Sequence, residues 1–122
     1  MINLKIELYE VQDKIVLELF GRIDAMSISA LDKKIESLVS DGHKKLVLNF
    51  SNIDYLSSAG LRLLLSLTKK LKKDEGFLVV FGMTPDVMEI INIAGFEKVI
   101  NICQSQQQAL SFSWKHLIKK SI

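Results

Sequence analysis

Two serines, Ser57 and Ser58, stand where an apolar run typical of a strand meets a leucine-rich segment of helical periodicity. A serine just before a helix is most often an N-cap, whose hydroxyl oxygen accepts a backbone N–H bond. The small residues Ala59 and Gly60 would let a partner approach the backbone, and a helix N-terminus favours a phosphate because its N–H groups are free. The junction therefore predicts either a simple cap or a hydroxyl that can carry a phosphoryl group.

The other residue types that support catalysis lack partners in this chain. The sequence contains no G-x-G-x-x-G and no P-loop ending in Gly-Lys-Ser/Thr. A serine hydrolase needs a glycine two residues before its nucleophile, but a leucine precedes Ser58 there, and His43 and His116 are expected at the surface. Asp24 suits a helix start, and Asp54 is expected in a turn. We expect no enzyme activity, no cofactor and no metal site.

Length and composition favour one cytoplasmic domain spanning residues 1–122. The chain is 48% hydrophobic and 25% charged, which is typical of a globular protein, and its net charge of +2 gives no reason to expect nucleic-acid binding. A lone cysteine, Cys103, excludes an internal disulfide and favours a reducing compartment. The N-terminus does not read as a signal peptide, and no apolar run approaches the roughly 20 residues that span a bilayer.

The spacing of apolar residues alternates between the strand period of two and the helix period of about 3.6. Five strands are predicted, the second of them broken by Gly21, at residues 2–8, 15–20, 46–50, 77–81 and 99–102. Four helices are predicted, at residues 28–39, 58–73, 85–94 and about 105–121. The second helix has a predicted core stripe, with Leu63 and Leu67 beside it as candidates for exposure. This order predicts an α/β domain whose mixed sheet of four to five strands is parallel in its later part and begins with an antiparallel strand.

Three segments resemble the STAS domain, most closely the stand-alone anti-sigma factor antagonists. They are residues 46–62, which include the Ser57-to-Arg62 loop, the Gly21-to-Asp24 motif, and residues 84–100. The resemblance implies a STAS-like fold with helices packed against the sheet, and the apolar stripe of the C-terminal helix predicts that this helix packs on the domain as well. The resemblance also implies that Ser58, aligned through Gly60, is the phosphorylated residue. Ser57 stands where that family usually has aspartate and is the alternative phosphorylation site.

The function that the resemblance implies is partner switching. The unmodified protein would bind an anti-sigma factor that is also an ATP-binding serine kinase, and so release a sigma factor. Phosphorylation of Ser58 would end this binding, and a serine phosphatase would restore it. The residues expected to face the partner are Asp24, Asp54, Ser57, Ser58, Ala59, Gly60 and Arg62. The free protein is expected to be a monomer.

Two other functions remain open. A STAS-like accessory module of a transporter or another regulatory complex would bind its partner constitutively, without a phosphoryl cycle. A small-ligand domain would need a pocket near Asp24 and the serine loop. The basic segment from Trp114 to Lys120 is interpreted as the solvated face of a packed helix, in preference to a membrane-binding element.

Overall fold

The computed structural model of the protein describes residues 3–112. These residues form five strands and four helices, in the chain order β1 Leu4–Val11, β2 Lys14–Ile23, α1 Ile28–Ser40, β3 Lys45–Leu56, α2 Ser58–Lys73, β4 Phe77–Phe81, α3 Pro85–Ala94, β5 Asn101–Cys103 and α4 Gln106–Leu110. The predicted α/β class and the number of elements are confirmed.

The strands form one mixed sheet in which spatial order follows chain order, β1-β2-β3-β4-β5. β1 pairs antiparallel with β2, and the remaining pairs are parallel. A sheet that grows in one direction through right-handed crossovers carries all its crossover helices on the same face. Accordingly, α1, α2 and α3 lie together on one face, and β3 is the central strand that leads into the serine loop.

Alternate residues of the central strands supply two hydrophobic layers. The layer beneath α1, α2 and α3 is the larger, and its fully buried strand residues include Leu17, Leu48 and Val80. The opposite layer is smaller and includes Val47 and Ala109 of α4. Because β3 and β4 are buried on both faces, their sequences read as continuous apolar runs instead of alternating ones. The serine loop follows the C-terminal end of β3, where buried Ile53 and Leu56 are interspersed with exposed residues.

Gly21 does not break the second strand, contrary to the sequence prediction. β2 continues through it to Ile23, with shifts of register against β3 on either side of it. Its φ of +118° is one that only glycine adopts readily, and a Cβ at this position would collide with the carbonyl oxygen of Asn3. The glycine therefore lets the chain bulge inside a strand and pass close to the start of β1.

Further boundaries also differ from the predictions, since β1 runs from Leu4 to Val11 and not over residues 2–8. β3 runs to Leu56, so Asp54 lies in the strand and not in a turn. The last strand is displaced to residues 101–103. Within the described residues α4 ends at Leu110, and Phe112 packs edge-on against Phe77 with ring centroids 5.0 Å apart. The rest of the helix predicted to about residue 121, including Trp114 and His116, lies outside the described residues.

Candidate functional site

Ser57 is the N-cap of α2. Its Oγ accepts a hydrogen bond from the Gly60 N–H at 3.0 Å, and its carbonyl accepts one from the Leu61 N–H at 2.9 Å. Its own N–H donates to the Ile23 carbonyl at 2.8 Å, which fixes the loop to the end of β2. The simple capping role that the sequence allowed for Ser58 therefore belongs to the preceding residue.

Ser58 is the first residue of α2 and is exposed. No hydrogen bond within residues 3–112 engages its hydroxyl. The N–H groups of Ser58 and Ala59 belong to the first turn and have no intrahelical acceptor. The structure thus separates the two serines, because one hydroxyl is used to start the helix and the other faces solvent.

Gly60 is buried, and its small size serves the interior of the protein. A Cβ at this position would lie 2.7 Å from Cγ2 of Ile23 and 2.8 Å from Cδ1 of Leu56. Both of those side chains are essentially inaccessible to solvent. The absence of a side chain therefore lets the first turn of α2 sit directly on the ends of β2 and β3. The expected role of Gly60 at the partner surface stays a prediction.

Asp24 organises the turn that leads into α1. Its Oδ1 accepts hydrogen bonds from the N–H groups of Met26 at 3.0 Å and Ser27 at 3.2 Å. Its N–H in turn donates to Oγ of Ser27 at 3.0 Å. This reciprocal pairing matches the predicted helix-start role and leaves 20% of the Asp24 side chain exposed. Asp54 is different, because its side chain is 75% exposed.

Arg22 connects the two aspartates, and the sequence analysis missed it. Its Nε lies 3.8 Å from Oδ2 of Asp24, and its Nη1 lies 3.9 Å from Oδ1 of Asp54. Its guanidinium carbon sits 4.3 Å from the centre of the Tyr55 ring, the residue opposite it across the strand pair. We call Arg22, Asp24, Asp54 and Tyr55 the strand-end cluster. The signal was present in the Gly21-to-Asp24 motif, where Arg22 occupies the variable position.

An open groove of about 510 Å³ runs between the N-terminal halves of α1 and α2. Its lining is partly apolar, with Leu63 and Ile28 between the charged side chains of Arg62 and Asp32. Leu63 is partly buried, whereas Leu67 is buried, so only the first of the two candidates for exposure reaches the surface. Ala59 joins the groove to the exposed serine. The groove and the serine therefore form one continuous surface.

The clearest change in a carboxyl pKa lies at the other end of the sheet. Asp13, in the turn between β1 and β2, contacts Nζ of Lys45 at 2.6 Å and Nζ of Lys14 at 3.1 Å. These hydrogen bonds lower the pKa of Asp13 to about 2.

On β5, burial raises the pKa of the Cys103 thiol. Residues 3–112 contain no group of three or more His, Cys, Asp or Glu side chains placed to hold a metal ion.

The chain belongs to the STAS domain family, whose family model matches residues 5–109. Two of its relatives are named as anti-sigma factor antagonists. The chain is 28% identical to BtrV of Bordetella bronchiseptica, which carries that assignment, over 87% of this chain and 91% of the relative. It is 25% identical to the anti-sigma-B factor antagonist of Staphylococcus aureus, over 82% of this chain and 93% of the relative.

The fold agrees with that assignment. A crystal structure of an anti-sigma factor antagonist from Mycobacterium paratuberculosis superposes with a TM-score of 0.80 at 26% identity, covering 88% of this chain and 92% of the other. The resemblance stated from the serine loop and the Gly21-to-Asp24 motif is therefore confirmed at the level of family and fold. No helix within residues 3–112 is both long and apolar enough to cross a bilayer.

Proposed function

We propose that this protein is an anti-sigma factor antagonist whose binding is switched by phosphorylation of Ser58. In its unmodified form it binds an anti-sigma factor that is also an ATP-binding serine kinase, and this releases a sigma factor in the cytoplasm. The kinase transfers a phosphoryl group to Ser58, the complex dissociates, and a serine phosphatase regenerates the binding form. The protein is a substrate and a regulator in this cycle, not an enzyme.

The proposal rests on the different environments of the two serine hydroxyl groups. Ser58 presents an exposed, unengaged hydroxyl, whereas Ser57 uses its hydroxyl to cap α2 and is only half exposed. Phosphorylation of Ser57 would modify the oxygen that accepts the Gly60 N–H, whereas Ser58 can be modified without changing a hydrogen bond among the described residues. We therefore assign the modification to Ser58 and not to the alternative Ser57.

The effect of the modification follows from charge. A phosphoserine adds about −1.5 to −2 charges at pH 7. The fold accommodates this anion because it stands at a helix N-terminus, where the dipole favours negative charge. A partner docked over Ser58, Ala59 and Arg62 would instead have to bury a bulky dianion. A loss of about 3 kcal/mol of binding free energy weakens association more than a hundredfold.

The test combines mass spectrometry with binding. The purified protein is incubated with ATP and an anti-sigma factor kinase from its own host, and the modified residue is located by fragmentation. We expect one phosphate, on Ser58, in the wild type and none in Ser58→Ala. A phosphate on Ser57 would refute the assignment.

Binding of the same kinase is then compared between Ser58→Asp and Ser66→Asp. Ser66 is the matched control because it is an exposed serine two turns along the same helix. We expect only Ser58→Asp to lose binding. The constitutive accessory module predicts instead that no phosphate is transferred and that the two variants bind a partner equally well.

A further inference from the structure

The backbone of Arg22 is held from two sides. Its N–H donates to the Asn3 carbonyl at 2.9 Å, and its own carbonyl accepts a bond from Oγ of Ser27 at 2.8 Å. The register of β2 against β3 shifts between Gly21 and Arg22, and such a bulge re-aims the side chain that follows it. The backbone position from which this side chain extends is therefore set by the fold.

The guanidinium of Arg22 takes part in two long ion pairs and one ring contact, and its N–H donors remain available for hydrogen bonds. It lies over the Tyr55 ring, while its two carboxylate contacts, at 3.8 Å and 3.9 Å, are longer than hydrogen bonds. An arginine carries five N–H donors, and the side chain of Arg22 makes no hydrogen bond within residues 3–112. With 46% of the side chain exposed, these donors are accessible from solvent.

We propose that Arg22, supported by Tyr55, is the point at which this protein binds an acidic side chain of its anti-sigma factor. A planar guanidinium with unused donors matches a carboxylate bidentately, and its stacking on an aromatic ring lowers the entropy lost on binding. Arginine and tyrosine are also among the residues that most often dominate binding energy at interfaces. This inference rests on the proposed function.

The strand-end cluster is continuous with the switch. Ile23, the neighbour of Arg22, accepts the hydrogen bond of the Ser57 N–H, and Tyr55 is two residues before Ser57. Met26, whose N–H donates a hydrogen bond to the Asp24 carboxylate, adds an exposed apolar side chain to the surface at this end of the sheet. A partner that covers Ser58 is therefore expected to reach Arg22 as well. Arg22 and Ser58 then act separately, the first setting affinity and the second switching it.

The experiment measures calorimetric binding of Arg22→Gln and Tyr55→Ala to a purified host anti-sigma factor that binds the wild type. Arg22→Gln keeps much of the side-chain length and removes the charge. The matched control is Lys5→Ala, which removes the cation of the other cation–aromatic contact, 5.3 Å from the Phe20 ring. We expect each test variant to lose roughly 10- to 100-fold in affinity and the control to stay within about twofold.

Salt dependence separates recognition from a purely structural role. Loss of a charge pair with the partner makes affinity fall less steeply with ionic strength, whereas a folding defect lowers the melting temperature and leaves that slope unchanged. Arg22→Lys, which retains charge without the fork, is expected to recover the salt dependence and only part of the affinity. Arg22→Gln binding with wild-type affinity would overturn the inference. If Ser58→Asp still abolished binding, the proposed function would stand without it.

Discussion

Replacing Gly60 with alanine tests whether the first turn of α2 is held against the strand ends by close contact. The new methyl group would lie 2.7 Å from Cγ2 of Ile23 and 2.8 Å from Cδ1 of Leu56, and both of these side chains are buried. Overpacking of this kind costs about 1–3 kcal/mol. Alanine regains up to about 1 kcal/mol through its higher helix propensity. We therefore expect a net destabilisation of about 1 kcal/mol.

The assay is urea unfolding, supported by thermal melts in which a loss of about 1 kcal/mol corresponds to roughly 4 °C for a chain of this size. Ser66→Ala is the control, because it is an exposed position on the same helix and should change stability by less than about 0.5 kcal/mol. The two substitutions should also be non-additive, since Gly60→Ala should cost less when Ile23 is already alanine and only the contact with Leu56 remains. An equal loss in both backgrounds, or a rise in the melting temperature, would refute this expectation.

Three further predictions concern individual side chains. Ser57→Ala should lower the unfolding free energy by about 1 kcal/mol because the Gly60 N–H loses its acceptor, while Ser57→Asp should restore it; equal stabilities in urea would contradict the capping role. Since the pKa of Asp13 is lowered to about 2, its carboxylate stabilises the fold above pH 4 and ceases to do so as the pH falls towards 2. The melting temperatures of the wild type and Asp13→Asn should therefore converge between pH 4 and pH 2, and a constant difference would argue against the contacts with Lys45 and Lys14. Because burial raises the pKa of Cys103, iodoacetamide should react with it more slowly at pH 7.5 than with free cysteine; an equal rate would show an open thiol.

The sequence predicted the elements whose signals are local. The buried strand at 77–81 has the predicted bounds. Proline at position 85 is typical of the first position of a helix, and α3 does begin there, with the Thr84 hydroxyl accepting a hydrogen bond from the N–H of Val87. The errors arose where tertiary contacts override a local signal. Gly21 reads as a breaker from sequence alone, and only its approach to Asn3 shows that it permits a bulge.

In the candidate site, too, the sequence predicted the features that depend on local signals and missed those that depend on tertiary contacts. The position of Ser58 and the helix-start role of Asp24 follow from neighbouring residues in the chain. The burial of Gly60 depends on Ile23, and the placement of Arg22 depends on Tyr55, in both cases more than 30 residues apart in sequence. Cross-strand register decides such contacts, and alternation along a single strand does not specify register across a bulge.

The attachment of the serine loop to the central strand has a consequence for timing. The Ser57 N–H is hydrogen-bonded to the carbonyl of the fully buried Ile23, so its amide exchange should be slower than that of Ser58, whose N–H has no acceptor within the helix. A docking surface that is already formed needs no rearrangement before a partner binds, and its association rate is then set by diffusion and orientation. The proposed switch would then respond as fast as its kinase and phosphatase work, because no conformational change of the protein would limit the rate.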